Sequence, residues 1–156
     1  EAWFTAFLNL FHDAHLHRGE TVLLHAAASG VGTAALQLSL RTGARVLATS
    51  RSAEKRARLL EMGARHCFEP DPATLLASLD AAIGKEGIEV ALDPIGGPLF
   101  PQTLEAMAQD VPVIVSRQSG VAEVLASALK VDFWDVEDLA NKIVAVLRRP
   151  ALRQFT

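Results

Sequence analysis

The residues whose types and spacing carry the most chemistry follow the first apolar run, where Val22-Leu23-Leu24-His25 passes into Ala26-Ala27-Ala28-Ser29-Gly30-Val31-Gly32 and a helical pattern from Thr33 to Leu40. Small residues there permit a tight strand-to-helix turn and close approach of backbone amides to a pyrophosphate, and a helix amino terminus favours its negative charge. Against the pattern G-x-G-x-x-G, Ala27 and Ser29 stand in the first two glycine places and only Gly32 keeps the third. The motif alone is a weak signal. Ser29, Gly30, Val31 and Gly32 are its candidate phosphate residues.

A second run, Thr49-Ser50-Arg51-Ser52, closes the next apolar stretch. It lies about 20 residues after the loop, where a site for NAD places a carboxylate on the ribose hydroxyls. No acid stands there. Ser50 can hydrogen-bond a 2′-phosphate, Arg51 can form a charge-assisted contact with it, and Lys55 follows one helical turn on as a second cation. The pattern therefore favours NADPH over NADH. Taken without the loop, Arg51, Lys55 and Arg56 read as the solvated face of a helix.

Other chemistry-bearing residues read more simply. His12, His15 and His17 with Asp13 are close in sequence, but zinc sites need converging, supported ligands, so no metal site is expected. The single cysteine, Cys67, reads as a small buried hydrophobe because no cationic partner can be assigned to it. Ser29 is flanked by Ala27 and Val31 rather than by the glycines of a nucleophile elbow. Trp3, Phe133 and Trp134 read as core, with Trp134 also placed toward the ligand side of the sheet.

These residues need a scaffold. Short Val-, Leu- and Ile-rich runs alternate with stretches of helical period, the pattern of strands buried between two helical layers. The candidate strands are 21–25, 45–49, 66–69, 89–93, 111–115 and 129–133, and the candidate helices 31–41, 53–62, 73–83, 101–108, 121–128 and 136–147. Asp71 before Pro72, Ser119 and Asp135 supply cap signals. An amino-terminal helix over 1–16 carries Trp3, Phe7, Leu8, Leu10 and Phe11 as a candidate buried stripe and exits at Arg18-Gly19. The expectation is a single Rossmann-like doubly wound parallel sheet in three α/β/α layers, with strand order 3-2-1-4-5-6.

Composition agrees. The chain of 156 residues is 50% hydrophobic and 21% charged, which suits one globular domain. Fifteen Lys and Arg against eighteen Asp and Glu give a net charge of −3, without the basic footprint of a nucleic-acid binder. No window reaches the ~18 apolar residues of a membrane span, and the amino end lacks a signal-peptide pattern. One cysteine suits a reducing compartment. The expected setting is cytoplasmic, and the expected partner is a small-molecule dinucleotide rather than nucleic acid or membrane.

From His25 to Gln37 the chain reads HAAASGVGTAALQ, followed by Ser50-Arg51-Ser52, by GAR before Cys67 and by ALDPIGG at 91–97. Over about residues 1–97 it resembles the zinc-independent quinone oxidoreductases of the medium-chain dehydrogenase superfamily. EAWFTAFLNLF resembles the helix preceding the cofactor domain there. Asp93, Gly96 and Gly97 resemble the turn near the nicotinamide ribose. The resemblance implies NADPH as cofactor. The family's separate amino-terminal catalytic domain, which supplies much of the quinone pocket, has no counterpart in the sequence. No side chain is therefore assigned as catalytic.

From about Leu104 to Thr156 the string LEAMAQDVPVIVSRQSGVAEVL, continued by ALKVDFWDVEDLANKIVAVLRRP, is similar to the nucleotide-sugar domain of glycogen-synthase-like two-domain glycosyltransferases. Those enzymes frame the donor with a spaced pair of glutamates. Glu105 falls on the second, while Gly97 stands where the first belongs, so sugar transfer is not expected. The two resemblances together imply a chimera, natural or engineered, of an oxidoreductase-like half (1–100) and a glycosyltransferase-like half (101–156), joined near 97–108. The expected function is NADPH binding without a complete active site. The alternatives are a quinone oxidoreductase fragment retaining hydride transfer, and a protein that tests the fold without a ligand.

Overall fold

The computed structural model describes residues 1–84 and 86–107, together with the backbone of 114–116 and 129–131. Helix α1, Ala2–Phe7, runs into a π-helical segment, Leu8–Asp13. There follow β1 (Thr21–Leu24), α2 (Gly30–Thr42), β2 (Arg45–Thr49), α3 (Ala53–Glu61), β3 (His66–Phe68), α4 (Leu75–Ile83) and β4 (Val90–Leu92). A 3₁₀ turn, Gly97–Leu99, leads into α5 (Phe100–Ala106), and β5 (Ile114–Ser116) and β6 (Leu129–Val131) complete the described elements.

The chain forms two compact units, Glu1–Ala108 and Gln109–Thr156. In the first, four parallel strands lie in the order β3-β2-β1-β4, as expected for strands one to four. In the second, β5 and β6 pair in parallel, Ile114 with Leu129 and Ser116 with Val131. The expected passage from the fourth strand to the fifth crosses 108–113, outside the described residues. So do helices 121–128 and 136–147, Ser119, Asp135, Phe133 and Trp134.

Successive strand residues point to opposite faces, and the first unit uses both. Val22, Leu24, Val46 and Ala48 pack with Ala6, Leu10, Ala34, Ala35, Leu36 and Leu59 on one side. Leu23 and Leu47 pack with Leu75, Leu79, Ile88, Leu99 and Ala106 on the other. That produces three α/β/α layers, with α1, α2 and α3 on one face and α4 and α5 on the other. Burial on both faces explains why these strands read as continuous apolar runs.

Three expectations are corrected. The amino-terminal helix is α-helical only to Phe7, and its buried residues are Ala6 and Leu10, whereas Trp3 is 52%, Phe4 67% and Phe7 51% exposed. Trp3 and Phe7 stand on the exposed face of α1, while Leu10 is buried and Leu8 and Phe11 are half-buried in the π-helical segment that follows. Pro72 is not the first residue of α4. Asp71 instead closes a preceding turn, its Oδ1 accepting from Ala73 N at 3.0 Å and its carbonyl from Leu75 N at 2.9 Å, an Asx-type arrangement. Strands one, three and four are shorter at their ends than expected. Residues His25, Glu69 and Asp93 follow the strand ends at the carboxyl edge of the sheet.

Candidate functional site

Parallel strands in register end together, and this dictates where the candidate residues meet. Leu24 at the end of β1 is flanked by Ala48 of β2 and Leu92 of β4. The turns carrying Ser29, Ser50 and Asp93 therefore leave the same edge. Backbone bonds tie them: His25 N donates to Leu92 O at 3.0 Å and Ala27 N to Thr49 O at 3.1 Å. Ligands of open α/β sheets bind at this edge.

The first turn is compact because its residues are small. Ala26 takes a positive φ of 47°, and Ala27 is buried. Ser29 is the amino-terminal cap of α2, its Oγ accepting from Gly32 N at 3.1 Å. This is a capping role, in line with the absence of a nucleophile elbow. A Cβ on Gly32 would stand 2.6 Å from Ala26 O, Ala27 Cα and Ala27 O, so only glycine lets the helix approach its own turn this closely. Ser29 and Gly30 are exposed and Val31 half-buried.

At the end of β2, Ser50 is buried and uses its backbone: its N donates to Phe68 O at 3.1 Å, and its carbonyl accepts from Arg56 Nη1 at 2.7 Å. Arg56 Nη1 also reaches Arg51 O at 3.1 Å, and Nη2 lies 3.8 Å from Glu69 Oε2. Arg51 and Lys55 are exposed. Ser52 caps α3 by accepting from Lys55 N at 3.2 Å, which sets Arg51 outside the helix and Lys55 in its first turn. Sequence reasoning placed Arg56 among solvated charges. The structure makes it the clasp of this turn, a contact that sequence spacing alone does not reveal.

After β4, Asp93 folds the turn back on itself, Oδ1 accepting from Ile95 N and Gly96 N, each at 2.9 Å. Oδ2 is buried without a hydrogen-bond partner among the described residues. Gly96 and Gly97 both have φ of 61°, a conformation that favours glycine.

The remaining candidates behave as ordinary surface or core groups. His12 pairs with Asp13, Nδ1 to Oδ1 at 2.7 Å, while His17 lies 3.7 Å from Glu20. Burial pushes the Cys67 thiol up to about 11 against the opposing pull of Arg56, which makes it a poor nucleophile at neutral pH. Glu105 is exposed on α5. No described helix is long and apolar enough to cross a membrane.

A family profile described as zinc-binding dehydrogenase matches residues 30–129. The chain belongs to the zinc-binding dehydrogenase family. A highly reducing polyketide synthase of Fusarium pseudograminearum is 40% identical over 107 residues, 67% of this chain and 4% of the synthase. A quinone oxidoreductase of Pongo abelii is 31% identical over 122 residues, 78% of this chain and 37% of that protein. The chain thus spans well under half the length of these relatives. Among solved structures, the nucleotide-binding subdomain of the enoylreductase domain of PpsC from Mycobacterium tuberculosis superposes with a TM-score of 0.69 at 26% identity, over 97% of this chain and 88% of that one.

Two consequences follow within the zinc-binding dehydrogenase family. Among the described residues no three His, Cys, Asp or Glu side chains are grouped to hold a metal ion, and the one cysteine holds its proton tightly. The described donors form no zinc site. The family match also runs unbroken through the expected seam at 97–108. None of the relatives named here is a glycosyltransferase, so the comparisons support the oxidoreductase resemblance and lend nothing to the second one.

Proposed function

We propose that this chain is the NADPH-binding part of a medium-chain reductase, folded as a single Rossmann-like domain over 1–156. Ser29, Gly30, Val31 and Gly32 receive the pyrophosphate, Ser50, Arg51 and Lys55 the 2′-phosphate, and Asp93, Gly96 and Gly97 the ribose on the nicotinamide side. The observation that carries this reading is the meeting, at one sheet edge, of an anion-suited turn with a turn, 49–52, that bears exposed Arg51 and no carboxylate and leads into the first turn of α3 with exposed Glu54 and Lys55. The buried, unpartnered Asp93 Oδ2 supports it as an acceptor suited to a ribose hydroxyl. Hydride chemistry belongs to the nicotinamide. The chain's own residues bind and orient it, and none is assigned as catalytic.

The relatives suggest two acceptors: a quinone, and the carbon–carbon double bond of an enoyl thioester. Titration of the chain with NADPH and NADH, followed by NADPH oxidation with each acceptor, tests the whole reading. Tighter NADPH binding with no acceptor-dependent oxidation is the expected result. Equal affinities would remove the assignment of Arg51 and Lys55.

A second reading is favoured by one observation. The first compact unit ends at Ala108, close to Leu104, from which the glycosyltransferase resemblance is expected to run. On that reading the carboxyl third comes from a different parent. The unbroken family match to residue 129 favours the single-domain reading over it.

A further inference from the structure

The end of β1 carries a group that the cofactor reading does not use. His25 is 1% exposed, and both ring nitrogens are hydrogen-bonded, Nδ1 with Thr49 Oγ1 at 3.0 Å and Nε2 with Thr103 Oγ1 at 2.8 Å. The hydroxyls decide where the ring proton sits. Thr103 Oγ1 donates its only proton to Leu99 O at 3.1 Å, so it accepts from Nε2–H. A neutral ring with its proton there leaves Nδ1 bare, and Thr49 donates to it. Burial favours the same state by holding the imidazole below its ordinary 6.5, against the pull of the Asp93 carboxylate.

The partners of this ring lie next to every part of the proposed site. Thr49 immediately precedes Ser50 and Arg51. Thr103 and Leu99 belong to the segment that follows the Asp93–Gly97 turn, and His25 N is bonded to Leu92 O, the residue before Asp93. His25 itself opens the turn that ends at Ser29. One side chain in the first turn thus reaches the end of β2 and the helix that follows the Asp93–Gly97 turn.

We propose that His25 is a positioning residue of the cofactor site, a neutral Nε2–H imidazole that holds the 2′-phosphate turn through Thr49 and the ribose turn through Thr103 and Leu99. The proposal rests on the NADPH reading of this edge. A doubly protonated ring has two donors and no acceptor, so only the neutral form completes the chain of hydrogen bonds. Geometry matters here because a binding group must be held to a fraction of an ångström by its supporting contacts.

The test has two arms. Long-range proton–nitrogen correlation on the nucleotide-free, unaltered chain at pH 7 should give His25 one protonated Nε2 and one bare Nδ1. An Nδ1–H or doubly protonated ring would overturn the proposal, whatever the chain binds. In the second arm Thr49→Val should weaken NADPH about tenfold, the scale of one buried hydrogen bond, and leave NADH within about twofold. Thr103→Val should weaken both nucleotides by a similar factor, about fivefold. Thr49→Ser and Thr103→Ser should restore binding. Unchanged affinities, or the same loss for both nucleotides in both valine variants, would reduce His25 to a structural residue and end the proposal. If a valine variant does not fold, the alanine variant at the same position is titrated instead, with the same pattern expected and the same results overturning the proposal. If the unaltered chain binds neither nucleotide, the NADPH reading fails and the positioning role with it, while the ring's proton placement has been settled separately.

Discussion

Arg51 is exposed and projects from a turn whose backbone is clasped by Arg56, so the two arginines have separable roles. Arg51→Glu replaces an attractive charge by a repulsive one and should weaken NADPH at least about tenfold, with NADH little changed. Titration of both nucleotides reads this directly, and an unaltered NADPH affinity would remove Arg51 from the site. The buried imidazole adds a pH prediction. Because the folded chain holds His25 below 6.5, the unfolded chain binds the extra proton first as pH falls. Stability contributed by the neutral ring is present above about pH 6.5 and is lost as pH drops toward the folded value. The melting temperature should therefore fall between pH 7 and 5, and His25→Gln should flatten that limb. An equally steep limb in the variant would assign the loss to other groups. The turn at the end of β2 was legible in the sequence because its order of residues is local, and the roles proposed for Ser50, Arg51 and Lys55 rest on that order. The bond from His25 to Thr103 joins residues 78 apart in sequence, and no local spacing announces it.

At the scale of elements, the strand-turn-helix of β1 and α2 is where sequence and structure agree most closely. The apolar run, the Ser29 cap and the helix beyond it follow from composition and capping chemistry, which act over a few residues. Gly32 is the element's tightest point. Gly32→Ala would drive a methyl into Ala26 O and Ala27 O at 2.6 Å, and main chain cannot swing aside as a side chain can. We expect a loss of about 2–3 kcal/mol in unfolding free energy and weaker binding of both nucleotides, measured by denaturant melts and titration. A stability within about 0.5 kcal/mol of the unaltered chain would mean that the turn relaxes freely. The amino-terminal helix was legible only in part. Its aromatic residues have the composition of a core stripe, but Ala6 and Leu10 face inward and Trp3, Phe4 and Phe7, all within the α-helical part, face out. Composition marks a helix as amphipathic without saying which of its faces the sheet covers.

For the molecule as a whole, the cofactor site proposed at the carboxyl edge of the sheet would link ligand binding to stability. A ligand that binds only the folded state adds RT ln(1 + [L]/Kd), about 2.7 kcal/mol at a hundredfold excess over Kd. Calorimetry of the full chain with and without NADPH therefore asks two questions together. If 1–156 is one domain, as proposed, a single transition should move upward as a unit, with calorimetric and van't Hoff enthalpies in agreement. If the carboxyl third comes from another parent, the two units should unfold independently and the trace should split. NADPH would then raise the transition of Glu1–Ala108, which holds all ten proposed cofactor residues, and leave the other in place. The split trace would retain the cofactor assignment and overturn the single-domain one, whereas a single transition insensitive to NADPH would do the reverse.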